Sequence, residues 1–571
     1  MNGMNNDAPL FRGRRPTVLG FGTSGLRGLV TDITDLEAYI NTRGFLEYLF
    51  RVGDAALGDT VCIAGDLRPS TDGEDRSIMR VVAKAIQDAG LKVDNLGKLP
   101  TPALTYFALK MNQPSVMVTG SHIPFDRNGI KFNRRSGEVL KEDERGILAA
   151  VEAVREQEYA RPAGESLFDD QGMFKDAVNP LPPVNERARE AYRERYLTFF
   201  PSGGLRGKRI VFFQHSAVGR DLLVEVMREL GAEVHPAGRA DEFVAIDTED
   251  ITDERLQTMQ GLIDEVSEQH GPVDALVSTD GDSDRPLLVG VDSHGKARFI
   301  GGDLLGIVVA DYLGADCVTV PISANDALDR HLEARGIPPT RKTRIGSPWV
   351  IKGMQEALAQ GRGTVLVGWE GNGGFMTGTP IEKGGRRLEP LPTRDAALPL
   401  LSALLATVEE DCSLVELLAQ LPPRFSRAGL LDQFPREAAH ALIRRFSPPE
   451  GVEQVDFEES SVTFVGSDGH TAGASEAETR TQGSIRDELE TFFTPARGFG
   501  EIIRINVIDG LRVYFENGDI AHIRPSGNAP QLRIYAVADT QARADEIAAM
   551  GIREPDGVLR QMEAAHRDGE G

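Results

Sequence analysis

Short apolar runs rich in β-branched residues alternate with amphipathic helical patterns over most of the first 420 residues. This alternation is typical of βαβ units built around largely parallel sheets. In the first such unit, residues 61–64 and 116–119 predict strands, and residues 76–89 predict a helix that ends at Gly90. The pattern therefore predicts an α/β protein.

The same order of strand, helix and strand occurs twice more, and a different texture then follows. Proline-containing breaks fall at 168–184 and at Leu421-Pro-Pro423, and residues 466–482, rich in Ser, Thr, Gly, Ala and Glu, predict a mobile surface insertion. The further predicted elements are strand 209–213, helix 221–230, strand 275–278, strand 318–321, helix 327–334, strand 364–367, and strands 502–507, 512–515 and 532–537. We predict three α/β domains, 1–184, 185–302 and 303–421, and a smaller α+β domain, 422–571.

Composition agrees with several compact domains. The 571 residues exceed what one hydrophobic core can serve and indicate about three to five domains. Hydrophobic residues at 40% and charged residues at 26% are ordinary for a soluble globular protein, so the composition indicates neither a disordered nor a fibrous chain. The formal net charge is −24 without a long acidic run, so nucleic acid is a poor partner, and a site for an anion must be locally basic.

Cysteine usage and hydropathy bear on the compartment. Cys62, Cys317 and Cys412 are far apart and show no CxxC or Cys/His spacing, so they predict neither a disulfide framework nor a zinc site. The first residues lack the apolar core of an export signal, and the longest apolar-rich stretch, 396–408, is interrupted by polar residues and a proline. We expect a cytoplasmic protein without a membrane span.

Unusual loops follow three of the predicted strands. Ser121, Asp280 and Glu370 each lie just beyond the carboxyl end of such a strand. Ligands of open α/β sheets bind outside the carboxyl ends of strands, so these loops can converge on one cleft.

The first loop, Thr119-Gly-Ser-His-Ile-Pro-Phe-Asp-Arg-Asn-Gly-Ile-Lys131, places the Ser121 hydroxyl on a glycine-flanked turn. The imidazole of His122 stands beside it, and the ammonium group of Lys131 follows. A nucleophile with nearby cations would result, although an isolated Gly-Ser-His more often marks a turn in which the serine bonds to backbone.

The second loop, Asp280-Gly-Asp-Ser-Asp-Arg285, places three carboxylates at alternating positions, as a hard divalent cation with oxygen ligands requires. Magnesium is the expected metal, with Asp280, Asp282 and Asp284 as ligands. A calcium EF-hand is excluded, because its loop of about twelve residues needs glycine at the sixth position and an acid at the last, where this chain has arginine and valine.

Two further segments suit a sugar and a phosphate. Gly368-Trp-Glu-Gly-Asn-Gly-Gly-Phe375 offers one carboxylate in a glycine-rich loop that a sugar could approach, although such a loop alone more often marks a flexible turn. Arg524-Pro-Ser-Gly-Asn-Ala-Pro-Gln-Leu-Arg533 combines two guanidinium groups, a hydroxyl, an amide and turn-exposed N–H groups. These groups match the acceptor oxygens of a phosphate, although a basic surface turn would explain the segment if it stood alone.

A fifth segment, Phe21-Gly-Thr-Ser-Gly-Leu-Arg-Gly28, overlaps a literal G-x-G-x-x-G at Gly20, Gly22 and Gly25. A dinucleotide site needs a strand before this motif and a helix after it. Residues 26–34 are instead β-branched and turn-like, and no long strand precedes Gly20. We therefore reject the dinucleotide alternative.

Together, in this order along the chain, the five segments resemble motifs of the α-D-phosphohexomutase superfamily, which contains the phosphoglucomutase/phosphomannomutase family. Those motifs are commonly F-G-T-S-G-[IL]-R-G, T-[AG]-S-H-N-P-x-x-x-N-G-x-K, D-G-D-G-D-R, G-E-x-S-G-H and R-P-S-G-T-E-P-x-[LI]-R. The resemblance spans residues 21 to 533 and implies three related α/β domains with mixed sheets and a smaller α+β C-terminal domain around a central cleft. The chain departs from the motifs at Ile123, Ser283, Asn372, Gly374, Asn528 and Ala529, which stand for Asn, Gly, Ser, His, Thr and Glu.

The resemblance implies a Mg²⁺-dependent phosphohexomutase that works through a phosphorylated serine and a hexose 1,6-bisphosphate, which also serves as activator. Lys131 is the preferred general base, ahead of His122. The implied catalytic residues are Ser121, His122, Lys131, Arg27 and Arg285; the metal ligands are Ser121, Asp280, Asp282 and Asp284; and the substrate-binding residues are Glu370, Asn372, Arg524, Ser526, Gly527, Asn528 and Arg533.

Mannose phosphate, glucose phosphate and glucosamine phosphate all suit the motifs. We expect a phosphomannomutase, with phosphoglucomutase or phosphoglucosamine mutase as alternatives, because the altered 368–375 loop matches none of their usual signatures. A non-catalytic sugar-phosphate sensor would be expected to lose Ser121 or an aspartate ligand, and none is lost. As partners we expect a small-molecule sugar phosphate, no nucleic acid and no membrane, in a monomer or homodimer.

Overall fold

The computed structural model describes residues 10–13, 17, 19–22, 25–249, 251–338, 342–459, 461–526 and 530–569. The chain forms two compact units. The first comprises residues up to 319 together with 346–418, and the second comprises 320–345 together with 419–571.

The first unit begins with a seven-stranded mixed sheet. Its strands are β1 (Gly20–Phe21), β2 (Gly25–Leu29), β3 (Thr60–Gly65), β4 (Lys92–Lys98), β5 (Ser115–Val118), β6 (Arg127–Arg134) and β7 (Gly137–Glu138), and its helices are α1 (Asp35–Val52), α2 (Ile78–Asp88), α3 (Thr101–Met111) and α4 (Lys141–Ala160). The order is β1-β2-β6-β5-β3-β4, with β7 paired to β6. Strand β3 pairs parallel with β4 and β5, whereas β6 runs antiparallel to β5 and β2. Apolar side chains of α1, α2 and α4 pack with those of the strands in one core.

A five-stranded mixed sheet follows. Its strands are β8 (Arg209–His215), β9 (Glu233–Arg239), β10 (Ala275–Thr279), β11 (Pro286–Val291) and β12 (Ala297–Ile300), and its helices are α5 (Arg187–Phe199), α6 (Arg220–Glu229) and α7 (Asp253–His270). The order is β12-β11-β10-β8-β9, with β8 parallel to β9 and β10 and the other pairs antiparallel. The turn between β10 and β11 therefore lies at the carboxyl end of the parallel strands.

The third sheet of this unit has four strands and an adjoining hairpin. Its strands, with the hairpin β16–β17, are β13 (Cys317–Thr319), β14 (Leu366–Trp369), β15 (Phe375–Thr377), β16 (Ile381–Lys383), β17 (Arg386–Leu388) and β18 (Leu391–Asp395), and the helices here are α8 (Gly302–Leu313), α9 (Ala327–Ala334), α10 (Ser347–Ala359), α11 (Ala397–Glu409) and α12 (Leu414–Ala419). The sheet order is β13-β14-β15-β18. Helix α9 belongs to the second unit.

The second unit is built on an eight-stranded antiparallel sheet. Its strands are β19 (Phe425–Leu431), β20 (Val452–Phe457), β21 (Val462–Gly466), β22 (Thr471–Gly473), β23 (Ile502–Asn506), β24 (Leu511–Phe515), β25 (Ile520–Pro525) and β26 (Leu532–Ala538), and its helices are α13 (Arg436–Arg445), α14 (Glu476–Phe492), α15 (Gln541–Ile552) and α16 (Val558–Gly569), with a 3₁₀ turn at Pro495–Arg497. The order is β19-β26-β25-β24-β23-β20-β21-β22. Segment 320–345 joins this unit, where Asn325 Nδ2 donates to the carbonyl oxygen of Arg424 at 3.1 Å and to Ser426 Oγ at 2.7 Å.

The predicted class, α/β with mixed sheets and a C-terminal α+β part, is confirmed. The predicted helix 327–334 coincides with α9, and the predicted strand 209–213 lies inside β8. The bounds of the four predicted domains stay a prediction. No helix in the described ranges combines the length and the hydrophobicity needed to cross a bilayer.

The prediction of a mobile insertion at 466–482 was wrong in one respect. Part of the segment forms strand β22 and the first turns of helix α14. Ser475 caps that helix, because its hydroxyl accepts the N–H of Glu478 while the Glu478 carboxylate accepts the N–H of Ser475. The Ser- and Glu-rich composition therefore reflects an exposed helix start.

Candidate active site

The loop that follows β5 holds Ser121 in a strained position. Ser121 is fully buried, and its φ of 55° lies in the left-handed region that side chains other than glycine seldom adopt. Its backbone N–H donates to Thr119 Oγ1 at 2.8 Å, and its hydroxyl donates to Asp280 Oδ2 at 2.6 Å. Non-glycine residues in this conformation concentrate at functional sites, where the surrounding structure offsets the strain.

A buried ion pair directly after β3 fixes this loop. The guanidinium of Arg68 donates through Nε to Asp66 Oδ2 at 3.1 Å and stacks on the Phe243 ring, 3.8 Å from its centroid. A Cβ at Gly120 would lie 2.6 Å from Arg68 Cζ, so only glycine fits beside the guanidinium. The other nitrogens of Arg68 donate to carbonyl oxygens of the loop, those of Ser121 (3.0 Å), Ile123 (2.5 Å), Pro124 (2.7 Å) and Arg127 (3.0 Å).

The sequence analysis missed both members of this pair. Asp66 and Arg68 follow strand β3 just as Ser121 follows β5, so the strand-end rule that selected the other loops could have found them. Asp66 also accepts the hydroxyl proton of Thr119 at 2.8 Å, which ties it to the N-terminal side of the serine loop.

The turn between β10 and β11 carries the three aspartates. Ser283 at its centre has a φ of 56°, which explains why the family motif has glycine at this position. Here the serine side chain offsets part of the backbone strain, since its Oγ lies 2.8 Å from Thr279 Oγ1 and accepts the N–H of Gly219 at 3.0 Å. A Cβ at Gly281 would lie 2.6 Å from the carbonyl oxygen of Ser121, so the two loops meet closely.

The three carboxylates fit a metal ion. One oxygen each of Asp280, Asp282 and Asp284 lies within 4.8 Å of the others, and all three residues are buried. Oδ1 of Asp282 and of Asp284 have no hydrogen-bond partner among the described residues. Burial and the charges of Asp282 and Asp284 raise the pKa of Asp280 well above its usual value. A cation among these oxygens would relieve both the missing contacts and the mutual repulsion.

Basic side chains surround the aspartates. Lys131, on β6, donates through Nζ to Asp282 Oδ2 at 2.6 Å and to Asp284 Oδ2 at 2.8 Å. Burial alone would lower the pKa of Lys131, but the charges of Asp282 and Asp284 outweigh it and raise the pKa. Arg285 Nε lies 3.7 Å from Asp284 Oδ1. Burial, together with the positive charge of Arg285, lowers the pKa of Arg27 to about 10.

His122 lies at the edge of this cluster. Its Nδ1 is 3.4 Å from Ser121 Oγ. Burial and the positive charges of Arg285 and Arg27 lower its pKa to about 2, so the imidazole is neutral at any physiological pH.

Glu370, in the loop after β14, is joined to the loop of the three aspartates by a residue that the sequence analysis missed. Arg394, buried on β18, donates from Nη1 to Glu370 Oε2 at 3.1 Å, and its Nη2 lies 3.0 Å from Asp284 Oδ2. Asn372 Oδ1 accepts the N–H of Gly374 at 2.9 Å, so this oxygen holds its own loop in shape. The sequence analysis predicted no strand at this position, and the polar neighbours Thr393 and Asp395 make Arg394 look like an ordinary charged residue of a loop.

In the second unit, Arg524 on β25 and Arg533 on β26 are directly opposite each other. Facing like charges on neighbouring strands repel, so an anion at this position would stabilise the pair. Arg524 Nε lies 3.1 Å from Asp509 Oδ1, and the N–H of Ser526 donates to the carbonyl oxygen of Gln531 at 2.9 Å. Gly527 and Asn528 lie outside the described residues.

Comparison with known proteins identifies the family. Residues 18–158, 301–425 and 481–553 match, respectively, the α/β/α domain I, the α/β/α domain III and the C-terminal domain of phosphoglucomutase/phosphomannomutase. A phosphomannomutase from Sinorhizobium fredii is 35% identical over 532 residues, which cover 93% of this chain and 98% of the relative. The chain belongs to the phosphoglucomutase/phosphomannomutase family. The family predicted from the motifs is thereby confirmed, and so is the enzyme class, an isomerase of the phosphotransferase type.

Other members of the phosphoglucomutase/phosphomannomutase family resemble the chain to different extents. A phosphomannomutase from Salmonella muenchen is 34% identical over 93% of this chain and 94% of the relative. A phosphoglucosamine mutase from Nitrosomonas europaea is 31% identical, over 59% of this chain and 69% of the relative. The crystal structure of a putative phosphomannomutase from Thermus thermophilus shares the fold, with a TM-score of 0.64 at 19% identity over 98% of this chain and 100% of that one.

Proposed function

We propose that the protein is a phosphomannomutase that interconverts mannose 1-phosphate and mannose 6-phosphate. The observation that carries this proposal is the 2.6 Å hydrogen bond from Ser121 Oγ to Asp280, which puts a candidate phosphoryl carrier at the edge of a three-carboxylate metal group. Two relatives that each cover 93% of the chain are named phosphomannomutases, which favours mannose over the other hexoses.

The proposed reaction has two transfers at one serine. A phosphoryl group on Ser121 Oγ passes to the C6 hydroxyl oxygen of mannose 1-phosphate: the bond between phosphorus and Oγ breaks, the bond to O6 forms, and a base takes the hydroxyl proton. After the bisphosphate turns over, the bond between phosphorus and O1 breaks and the bond to Ser121 Oγ forms, while the proton that Oγ took up in the first transfer passes to O1. Because phosphoryl transfer requires little covalent chemistry from the protein, positioning and neutralisation of charge account for most of the catalysis.

The three aspartates define the metal requirement of the proposal. Asp280, Asp282 and Asp284, with an oxygen of phosphorylated Ser121, would hold Mg²⁺, since hard carboxylate oxygens are the ligands that this ion prefers. When bound, Mg²⁺ supplies positive charge that offsets the charge of the transferring group.

Arg27, Arg285 and Lys131 would stabilise the transferring phosphoryl group. Their guanidinium and ammonium groups belong to the cluster around the aspartates, where burial strengthens each electrostatic contact. A metal ion bound by Asp282 and Asp284 would add positive charge beside the Lys131 ammonium group, which those carboxylates contact through Oδ2. The pKa of this ammonium group would then fall toward the range of a general base, which supports Lys131 in that role, ahead of the weakly basic His122.

Recognition of the substrate would be divided between two sets of residues. Glu370 accepts hydrogen bonds from sugar hydroxyls, and Asn372 has its amide nitrogen left for the same purpose, since its oxygen is engaged by Gly374. Groups of the last predicted domain would bind the phosphate that is not reacting, in either orientation of the sugar. They are Arg524, Ser526, Gly527, Asn528 and Arg533.

A hexose 1,6-bisphosphate would act as activator, because loss of the bisphosphate before the second transfer leaves Ser121 without its phosphoryl group. Assays with Mg²⁺ and a trace of bisphosphate should show the highest kcat/KM with mannose 1-phosphate, and glucose 1-phosphate and glucosamine 1-phosphate serve as comparisons. A preference for glucose 1-phosphate would make the protein a phosphoglucomutase instead. If protein phosphorylated on Ser121 bound the sugar phosphates but did not convert them, the proposed mutase activity would be refuted and a non-catalytic sensor would be favoured.

A further inference from the structure

Arg394 is the one basic group described in the site that joins the loop of Glu370 to the loop of the aspartates. It lies at an irregular point of the pairing between β15 and β18, where Phe375 pairs with Asp395 and Thr377 with Leu391. Its side chain is 4% exposed. Nε lies 3.1 Å and Nη2 3.0 Å from Asp284 Oδ2, while Nη1 donates to Glu370 Oε2 at 3.1 Å. One planar guanidinium thus holds two carboxylates from different loops.

Space for this guanidinium comes from Gly374. A Cβ built at Gly374 would lie 2.5 Å from Cδ, 2.6 Å from Cγ and 2.9 Å from Cβ of Arg394, closer than non-bonded carbon atoms approach. Any side chain at position 374 would therefore displace the arginine stem. The adjoining residue Asp395 fixes the other side of Arg394 in place, because it accepts hydroxyl protons from Tyr192 and Tyr196 on α5.

We propose that Arg394 is a positioning residue that sets the sugar preference by fixing the carboxylate of Glu370, and that Gly374 is required for this arrangement. The inference rests on the proposed function, in which Glu370 accepts hydroxyl hydrogen bonds. With Oε2 held by Arg394, Oε1 is the oxygen left to accept from the sugar, and its direction is fixed relative to Asp284. Hydroxyls that differ in orientation between epimers then meet a stationary acceptor, and one of the two is favoured.

The test measures kcat/KM for mannose 1-phosphate and glucose 1-phosphate in four variants. We expect Arg394→Gln to change the ratio of the two values by about tenfold, as for the loss of one charge-assisted hydrogen bond, and Arg394→Lys to change it less because a positive charge remains. Glu370→Gln and the double variant Arg394→Gln/Glu370→Gln should share one ratio, because Arg394 acts through Glu370.

A second pair of variants perturbs the contact between Arg394 and Glu370 without removing the arginine. Gly374→Ala forces the Arg394 stem to move and should shift the ratio in the same direction as Arg394→Gln. Gly371→Ala adds the same methyl group to the same loop, where the nearest atom is Glu249 Oε1 at 3.4 Å, and should shift the ratio less. If Arg394→Gln fails to fold, the two alanine variants still decide the proposal.

Three results would overturn the inference while leaving the proposed function intact. The first is an unchanged ratio in both Arg394→Gln and Gly374→Ala with mutase activity retained. The second is an unchanged ratio with a raised Mg²⁺ concentration for half-maximal activity, which would assign Arg394 to Asp284 alone. The third is an effect in the double variant that multiplies the two single effects. Absence of mutase activity in the unsubstituted protein would instead refute the proposed function.

Discussion

Replacing Arg68 by methionine tests how the serine loop is held. The substitution keeps an unbranched apolar stem but removes the donors that bind four carbonyl oxygens of the loop. Without them, nothing equivalent offsets the cost of about 1–3 kcal/mol for holding Ser121 at a positive φ. The loop should then sample other conformations in which the hydroxyl no longer faces Asp280.

The magnitude follows from the contacts that remain. Asp66 would keep the hydrogen bonds from the hydroxyls of Thr71 at 2.6 Å and Thr119 at 2.8 Å but would lose its buried ion-pair partner, which adds to the cost of the substitution. Hydrogen bonds to a charged group contribute about 1.5–3 kcal/mol each, and several to one guanidinium are not additive. We expect a loss of about 3 kcal/mol in the free energy of the ordered loop, which corresponds to a roughly hundredfold fall in kcat/KM.

The assay compares the variant with a control on the same loop. In Arg68→Met, kcat/KM should fall by the same factor for mannose 1-phosphate and glucose 1-phosphate, because Ser121 serves both substrates. Amide hydrogen exchange of residues 120–127 should become faster. Arg127→Met removes an exposed arginine side chain from this loop, keeps the backbone carbonyl that Arg68 contacts, and should stay within about twofold of the unsubstituted enzyme. If Arg68→Met kept the kcat/KM of the unsubstituted enzyme, or if its amide hydrogen exchange were unchanged, the proposed role of Arg68 would be refuted.

Three further predictions concern the proposed roles. Ser121→Ala should abolish both turnover and the phosphopeptide seen by mass spectrometry; full activity would require a direct transfer between sugars. Asp282→Asn should raise the Mg²⁺ concentration for half-maximal activity by about tenfold or more, and normal Mg²⁺ use would exclude this residue as a ligand. Arg524→Ala should raise KM for mannose and glucose phosphates alike by roughly ten- to hundredfold, whereas Glu370→Gln should change the ratio between them; the opposite pattern would reverse the assigned roles.

The sequence alone was enough to predict those site residues that lie close together in one short segment. The three aspartates form one continuous segment, and the serine turn forms another. Ser121 and Asp280 are 159 positions apart in the chain, but both follow the carboxyl end of a strand, and this placement brings them together. Helices such as α9 were also predicted, because the periodicity of apolar residues and a following glycine mark where they begin and end.

The sequence analysis missed the roles of Arg68 and Arg394, although Arg68 lies just beyond a strand and the strand-end rule could have selected it. Each is a single charged residue whose importance comes from carbonyls or carboxylates on distant loops, and one sequence gives no sign of such contacts. Asn372 shows the opposite error. The sequence suggests a side chain that binds substrate through both amide atoms, but in the structure its oxygen accepts a hydrogen bond from its own turn. The Ser- and Glu-rich start of α14 likewise has the composition of a loop and the hydrogen bonds of a helix cap.

The membership of segment 320–345 in the second unit has a consequence for dividing the protein into fragments. A C-terminal fragment that starts at residue 422 would lack Asn325, whose amide binds Ser426, and Ala324, whose carbonyl accepts from Arg512 at 3.2 Å. Such a fragment should expose the surface that this segment covers and should regain stability when a 320–345 peptide is added in trans. A chain that starts at residue 320 and joins residue 345 to residue 419 through a linker should carry the whole unit in one continuous piece.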